Sequence, residues 1–196
     1  MKKMMLLIVV VLLSVMAACH MDSKPMAPFD TISTDLSADE MLAIVKGMNV
    51  VVSEGATCTH GNEIWDAFYR ASMDGKAGSV MFAEYYTLDK DRVSEELYEA
   101  EKDLYPKIYF GELSFDGNKY SVTVRDGNET EFDIQRKYKY LMKYTGDAPK
   151  SAAYQHYEYY VLVHDDTVTW DDIWNGMISS QSGDNIDHYS VFQKRW

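Results

Sequence analysis

Two segments in the first half of the chain place apolar residues three and four positions apart, the spacing of one helix face. The first, 41–48, follows Ser37 and Glu40, whose spacing is that of a capping box. The second, 64–71, is followed by Asp74 and Gly75, which favour a helix end. The patterns predict helices starting at 38 and at 62, with a short extended piece over 49–52 and a loop over 55–61 between them.

The middle of the chain has the residue pattern of β-strands. Runs rich in aromatic and β-branched residues cover 80–87, 109–115 and 120–124, and Asp116-Gly117-Asn118 separates the last two. Asp-Gly between two alternating runs favours a tight hairpin turn. A second turn at 126–128 leads into 132–144, where alternation predicts one further antiparallel strand.

The last third continues with alternating elements. We predict strands over 157–164 and 189–193 and a short exposed helix over 91–103. A late helix is expected after Thr169 and Asp172, which resemble a second capping pair. The predicted fold class is therefore α+β: an antiparallel sheet of about five to six strands with two or three helices packed on one face.

The first nineteen residues have the order of a secretion signal. Two lysines precede an apolar run over 4–13, which is shorter than the roughly 20 residues that span a bilayer. Small residues then lead to Cys19, as in a lipobox. We expect residues 1–18 to be a lipoprotein signal peptide and Cys19 to carry the lipid anchor. The alternative is an ordinary signal peptide cut near Ala18, which would leave a soluble secreted protein.

The segment after the signal is poor in core-forming residues and contains Pro25 and Pro28. Residues 19–36 are therefore predicted to be the lipidated cysteine and a flexible tether, and 37–196 a single domain. The chain has two cysteines. If Cys19 carries lipid, Cys58 has no partner for a disulfide; a Cys19–Cys58 bridge remains the alternative if the signal is cut elsewhere.

The formal net charge of −12 argues against polyanionic partners. Nucleic-acid binding needs clustered Lys and Arg side chains, and the sequence has no basic stripe. The expected partners are the membrane, through the lipid on Cys19, and a protein, peptide or glycan. The expected location is the extracytoplasmic face of a bacterial cell membrane.

Three short motifs resemble those of an uncharacterised family of small lipoproteins from Gram-positive bacteria, in which a Y-T-x-E strand end precedes an L-x-Y-D-G hairpin. They lie at 85–89, 113–120 and 139–141. The chain has Lys90-Asp91-Arg92 where the family pattern has Gly-Asp-Pro, and it lacks a late cysteine. The resemblance implies location and fold, and no activity is attached to it.

Cys58 and His60 are the one place where a nucleophile and a base lie close in sequence. A thiol enzyme also needs a lowered thiol pKa, an orienting third group and oxyanion donors, none of which the sequence reveals. The favoured interpretation is a half-buried cysteine beside a loop histidine. The alternative is a cell-envelope hydrolase that uses this pair.

No metal or cofactor is predicted. Aspartates in the last third lack the spacing of an EF-hand loop and are explained by turns and helix caps. Three histidines lack the paired spacing of a zinc site. The sequence also has no phosphate loop or serine-hydrolase motif. These aspartates and histidines are Asp165, Asp166, Asp171, Asp172, Asp184, Asp187, His156, His164 and His188.

Aromatic residues are the remaining signal, because the chain holds 15 Tyr and 4 Trp but only 7 Phe. Tyrosine serves both in sheet packing and in recognition surfaces. On a strand, Tyr157 and Tyr159 share one face, and Tyr160 points to the other. We therefore predict a non-catalytic binding domain with Tyr157 and Tyr159 in its contact zone. An inhibitory or structural partner of an envelope enzyme is a further alternative.

Overall fold

The computed structural model describes residues 26–148, 150, 152, 154–178 and 186–196. The predicted signal peptide and Cys19 lie outside the described residues. No helix among those described is both long and apolar enough to cross a membrane.

Four α-helices are present in the described part of the chain. The Ser37 hydroxyl accepts a hydrogen bond from the Glu40 amide, and the Glu40 carboxylate accepts one from the Ser37 amide, which confirms the capping box. The second helix begins at Asn62, as its apolar spacing predicts. The helices are α1 (Ala38–Val45), α2 (Asn62–Met73), α3 (Glu95–Glu101) and α4 (Trp170–Ile178).

The strands form two sheets rather than the single sheet predicted. The first has the order β2-β1-β3-β4-β5-β6, with β1 and β3 parallel, and the second has the order β7-β8-β9. The strands are β1 (Val51–Glu54), β2 (Thr57–His60), β3 (Gly78–Tyr86), β4 (Lys107–Phe115), β5 (Tyr120–Asp126), β6 (Ile134–Tyr138), β7 (Tyr140–Asp147), β8 (His156–Val163) and β9 (His188–Arg195). The α+β class is confirmed.

Both faces of the first sheet are covered, so the prediction of helices on one face is wrong. Val51 packs in a cluster with Trp65 of α2 and Phe192 of β9, whereas its neighbour Val52 packs in a cluster with Met41 of α1. Successive residues of a strand point to opposite faces. The second sheet and α2 therefore lie on one side of the first sheet, and α1 lies on the other.

Residues 26–36 belong to the domain core and not to a flexible tether. Met26 and Phe29 are buried, and the Phe29 ring stacks on Phe110 with centroids 4.5 Å apart. The buried guanidinium of Arg125 donates a hydrogen bond to the Phe29 carbonyl at 3.2 Å. Met26, Phe29, Ile32 and Leu36 of this segment therefore pack on the α1 side of the sheet.

The structure also differs from the sequence-based prediction in two short segments. The predicted loop 55–61 contains β2, which forms a hairpin with β1 around Gly55 at φ 59°. The predicted strand 132–144 divides at Lys139, where the chain leaves the first sheet and enters the second. Tyr138 pairs with Tyr120 in one sheet, and Tyr140 pairs with Val163 in the other. A single residue makes this crossing, so the apolar pattern shows no break.

Candidate aromatic binding face

The outer face of the second sheet carries the two tyrosines predicted from sequence. Alternation along β8 places Tyr157 and Tyr159 on this face, and it sends Tyr160 to the inner face, where Tyr160 is buried against Trp65 at 5.1 Å. Tyr157 and Tyr159 are each half-buried, with ring centroids 5.2 Å apart. The two rings thus form one continuous surface.

Helix α4 adds two tryptophans to this surface. The Thr169 hydroxyl accepts a hydrogen bond from the Asp172 amide at 3.2 Å, and Asp172 accepts one from the Thr169 amide at 2.9 Å. The Thr169 hydroxyl also lies 2.6 Å from the Asp172 carboxylate, and the bonds from this hydroxyl and from the Thr169 amide hold the pKa of the exposed Asp172 carboxyl below its usual value. Buried Ile173 fixes the helix on Val161 and Val163. One side of α4 therefore rests on the sheet.

The four rings form what we call the aromatic row, made of Tyr157, Tyr159, Trp170 and Trp174. Tyr159 and Trp170 are stacked, with centroids 4.4 Å apart and an interplanar angle of 11°. Trp170 and Trp174 follow at 6.3 Å. Trp174 is 49% exposed and ends the row. Trp174 is the most exposed of the four residues.

Polar and positively charged groups border the row. The Arg195 guanidinium lies 5.6 Å from the Tyr159 ring and 4.9 Å from that of Tyr154. Burial is the main cause of the raised pKa of the Tyr159 phenol. Under Tyr157, Gly146 leaves room for the ring, because an added Cβ would lie 2.4 Å from the Tyr157 hydroxyl. Substituting Gly146 would therefore displace this end of the row.

Sequence reasoning found Tyr157 and Tyr159 but missed Trp170 and Trp174. The spacing of four residues between the tryptophans places them on one side of a helix, and this was the available signal. The sequence does not show that this side lies beside β8, because the docking of α4 is a tertiary contact.

In the Cys58 and His60 pair, the thiol of Cys58 is hydrogen-bonded to the backbone of His60. Cys58 is half-buried in β2, and its thiol donates to the backbone carbonyl of His60 at 3.3 Å. Burial raises the pKa of this thiol above its ordinary value. A raised pKa lowers the fraction of reactive thiolate, which is the opposite of what a nucleophile needs.

The aspartates and histidines of the last third are dispersed in local contacts. His156 lies 2.8 Å from Asp147, and His164 lies 3.2 Å from Asp187. Asp165 accepts a hydrogen bond from the Thr167 amide. Within the described residues, no group of three or more potential ligands is placed to hold a metal ion. Asp184 lies outside the described residues.

Comparisons with models of protein families, with curated proteins and with solved structures found no match to this chain.

Proposed function

We propose that this protein is a lipid-anchored, extracytoplasmic binding domain without catalytic activity, and that it contacts a neutral glycan of the cell envelope through the aromatic row. The observation that supports the proposal is the row itself, in which four rings follow one another with an exposed Trp174 at the end. Exposed aromatic rings mark recognition surfaces more often than single exposed aliphatic residues do.

A glycan suits this surface better than the other partners considered. Sugar rings present apolar faces that stack on aromatic rings and hydroxyl groups that bond to a polar border. The Arg195 guanidinium and the Gln193 amide, which bond to each other at 2.9 Å, supply such a border. A stable protein interface buries about 800 Å² on each partner, whereas the row offers only the exposed parts of four rings. The net charge of −12 disfavours a polyanionic glycan.

The alternative hydrolase has no comparable support, because burial raises the pKa of its proposed nucleophile, the Cys58 thiol. An inhibitory or structural role beside an envelope enzyme stays as the outcome that a failed glycan screen would favour. In that case the aromatic row would contact a protein instead.

The test is titration of the full-length protein with neutral oligosaccharides and uncharged cell-wall fragments, followed by tryptophan fluorescence and calorimetry. Trp174→Ala should weaken binding by at least about tenfold, the effect of losing 1.4 kcal/mol. Trp196→Ala is the matched control, because Trp196 is 58% exposed and lies outside the row. Tyr157→Ala and Tyr159→Ala should also weaken binding. Equal affinities for all of these folded variants and the unaltered protein would refute the contact zone.

The membrane anchor has its own test. Cys19→Ser should abolish labelling by a radioactive fatty acid and move the protein from the membrane fraction to the soluble fraction. Retention of the label in this variant would contradict lipidation at Cys19.

A further inference from the structure

A second candidate site lies in a cleft between the two sheets, away from the aromatic row. The cavity has a volume of about 270 Å³ and opens between β1 and β3 of the first sheet and β9 of the second. Ser53, Glu84, Tyr86, Tyr189, Phe192 and Gln193 are among its lining residues. The cleft thus combines one carboxyl group with aromatic rings and neutral hydrogen-bonding groups.

Among the described residues that line this cleft, Glu84 is the only one with an ionisable carboxyl group. Its neighbours across the sheet are Ser53 on β1 and Tyr109 on β4. The Tyr86 hydroxyl donates to the Glu84 carboxylate at 3.3 Å. Among the described residues, no Lys, Arg or His nitrogen forms an ion pair with Glu84. The charge of Glu84 is therefore not balanced by the protein around it.

The same molecule holds a completed version of this arrangement on β8. There the Tyr160 hydroxyl donates to Glu158 at 3.1 Å, again across two positions of one strand. The Lys143 ammonium lies 2.7 Å from the Glu158 carboxylate and 5.5 Å from the centroid of the Tyr160 ring. The ammonium thus forms an ion pair with the carboxylate and a cation–π contact with the phenol ring.

The Glu84–Tyr86 unit lacks such an ammonium. Lys143 lies opposite Tyr160 in the sheet, and the residue opposite Tyr86 is Lys107. The Lys107 ammonium, however, lies over the ring of Tyr105, 5.7 Å from its centroid. In the second sheet, the Lys143 ammonium lies beside Glu158 and Tyr160. The corresponding position beside Glu84 and Tyr86 is therefore open to a ligand in the cleft.

We infer that the cleft binds a primary ammonium group of a ligand, with Glu84 as its ion-pair partner and Tyr86 and Tyr189 as its aromatic walls. A primary ammonium has three donors, and the cleft offers acceptor oxygens on Glu84, Ser53 and Tyr86. A buried carboxylate is stabilised by a paired cation. The volume, near the lower limit of ligand pockets, suits a small amine or one side chain.

The ammonium has two sources with the same chemistry: a free alkylamine or the lysine side chain of a peptide. Titrating the full-length protein with n-butylammonium chloride and with Nα-acetyl-lysine methylamide distinguishes them. n-Butylammonium is the lysine side chain without its backbone, so saturable binding of both molecules supports the ammonium site itself. Binding of n-butylammonium without the lysine derivative supports a free amine, and binding of the lysine derivative alone supports a peptide lysine. n-Butanol, a neutral molecule of similar shape, should not bind.

Glu84→Gln should weaken binding of the amine by at least tenfold while keeping the shape of the side chain. Glu158→Gln is the matched control, because it removes a carboxylate from the equivalent unit outside the cleft. Lys107→Met and Trp174→Ala should leave binding unchanged; the latter separates this site from the aromatic row. The inference is overturned if neither amine shows saturable binding, or if Glu84→Gln, shown to be folded by circular dichroism, binds as the unaltered protein does.

Discussion

The indole of Trp170 lies parallel to the ring of Tyr159, with the two centroids 4.4 Å apart. This stack joins α4 to the outer face of the second sheet, beside the contact of buried Ile173 with Val161 and Val163. The binding face that we propose therefore also holds α4 on the second sheet. Rings that hold α4 in place are preorganised for a ligand, because their orientation is fixed before binding.

The stack predicts that the effects of substituting Trp170 and Tyr159 on the free energy of unfolding are coupled. In a double-mutant cycle with Trp170→Ala and Tyr159→Ala, the two substitutions should interact by about 0.5–1.5 kcal/mol, as stacked aromatic pairs do. The measurement is urea unfolding of the four proteins followed by circular dichroism. Trp170→Ala combined with Trp196→Ala is the control and should be additive. Additivity in both pairs would mean that the stack contributes nothing beyond separate burial.

The N-terminal segment yields a second stability prediction. Phe29 is fully buried and stacked on Phe110, so Phe29→Ala should lower the free energy of unfolding by about 3–5 kcal/mol. Asp35→Ala, at an exposed position of the same segment, should change it by less than about 0.5 kcal/mol. Urea unfolding checks both values. A flexible tether would give two equally small effects, and that result would contradict the packing of residues 26–36 in the core.

The features that sequence predicts well here depend on residues close together in the chain. The capping box at Ser37 and the Asp-Gly turn between β4 and β5 are local hydrogen-bonded units, and both are present. The division of 132–144 between two sheets depends on which distant strand each half meets. The polar composition of 26–36 likewise predicts a tether. One buried side chain, Phe29, nevertheless holds this segment against the core by stacking on Phe110.

The candidate sites divide in the same way. Strand alternation correctly places Tyr157 and Tyr159 on one face, since it is a local rule. Glu84 gave no signal, because a glutamate between aromatic residues on a strand is typical of a solvated position. Its burial results from β9, which returns from the end of the chain to cover the end of β3. No pattern within 80–87 encodes that contact.

The environment of Cys58 predicts low reactivity toward alkylating reagents. Burial raises the pKa of the thiol, so at pH 7 the native protein should react with iodoacetamide more slowly than a free cysteine does. Unfolding in urea should restore the ordinary rate, which serves as the control. The rate is measured by mass spectrometry over time. A native rate above that of free cysteine would indicate an activated thiol and revive the hydrolase alternative.

Glu84 predicts a specific dependence of stability on pH. Burial in the cleft raises its pKa to about 7, whereas an unfolded glutamate titrates near about 4.3. The folded protein thus retains this proton to higher pH than the unfolded chain. The contribution of Glu84 to the free energy of unfolding is fully present below pH 4 and is lost as the pH rises through 7. The loss is on the order of 4 kcal/mol.

The groups that face Glu84 do not titrate in this window. Burial raises the pKa values of the Tyr86 and Tyr189 phenols, so both remain neutral. Arg136, whose charge acts on Tyr189, is paired with Asp187 at 3.4 Å. Urea unfolding at pH 5 and pH 8 should therefore show a smaller decline in stability for Glu84→Gln than for the unaltered protein. Glu158→Gln should keep the full decline, because Glu158 is balanced by Lys143. Equal declines in all three proteins would show that Glu84 carries its charge in the cleft at no cost, and the cleft would then have no need of a cation from outside.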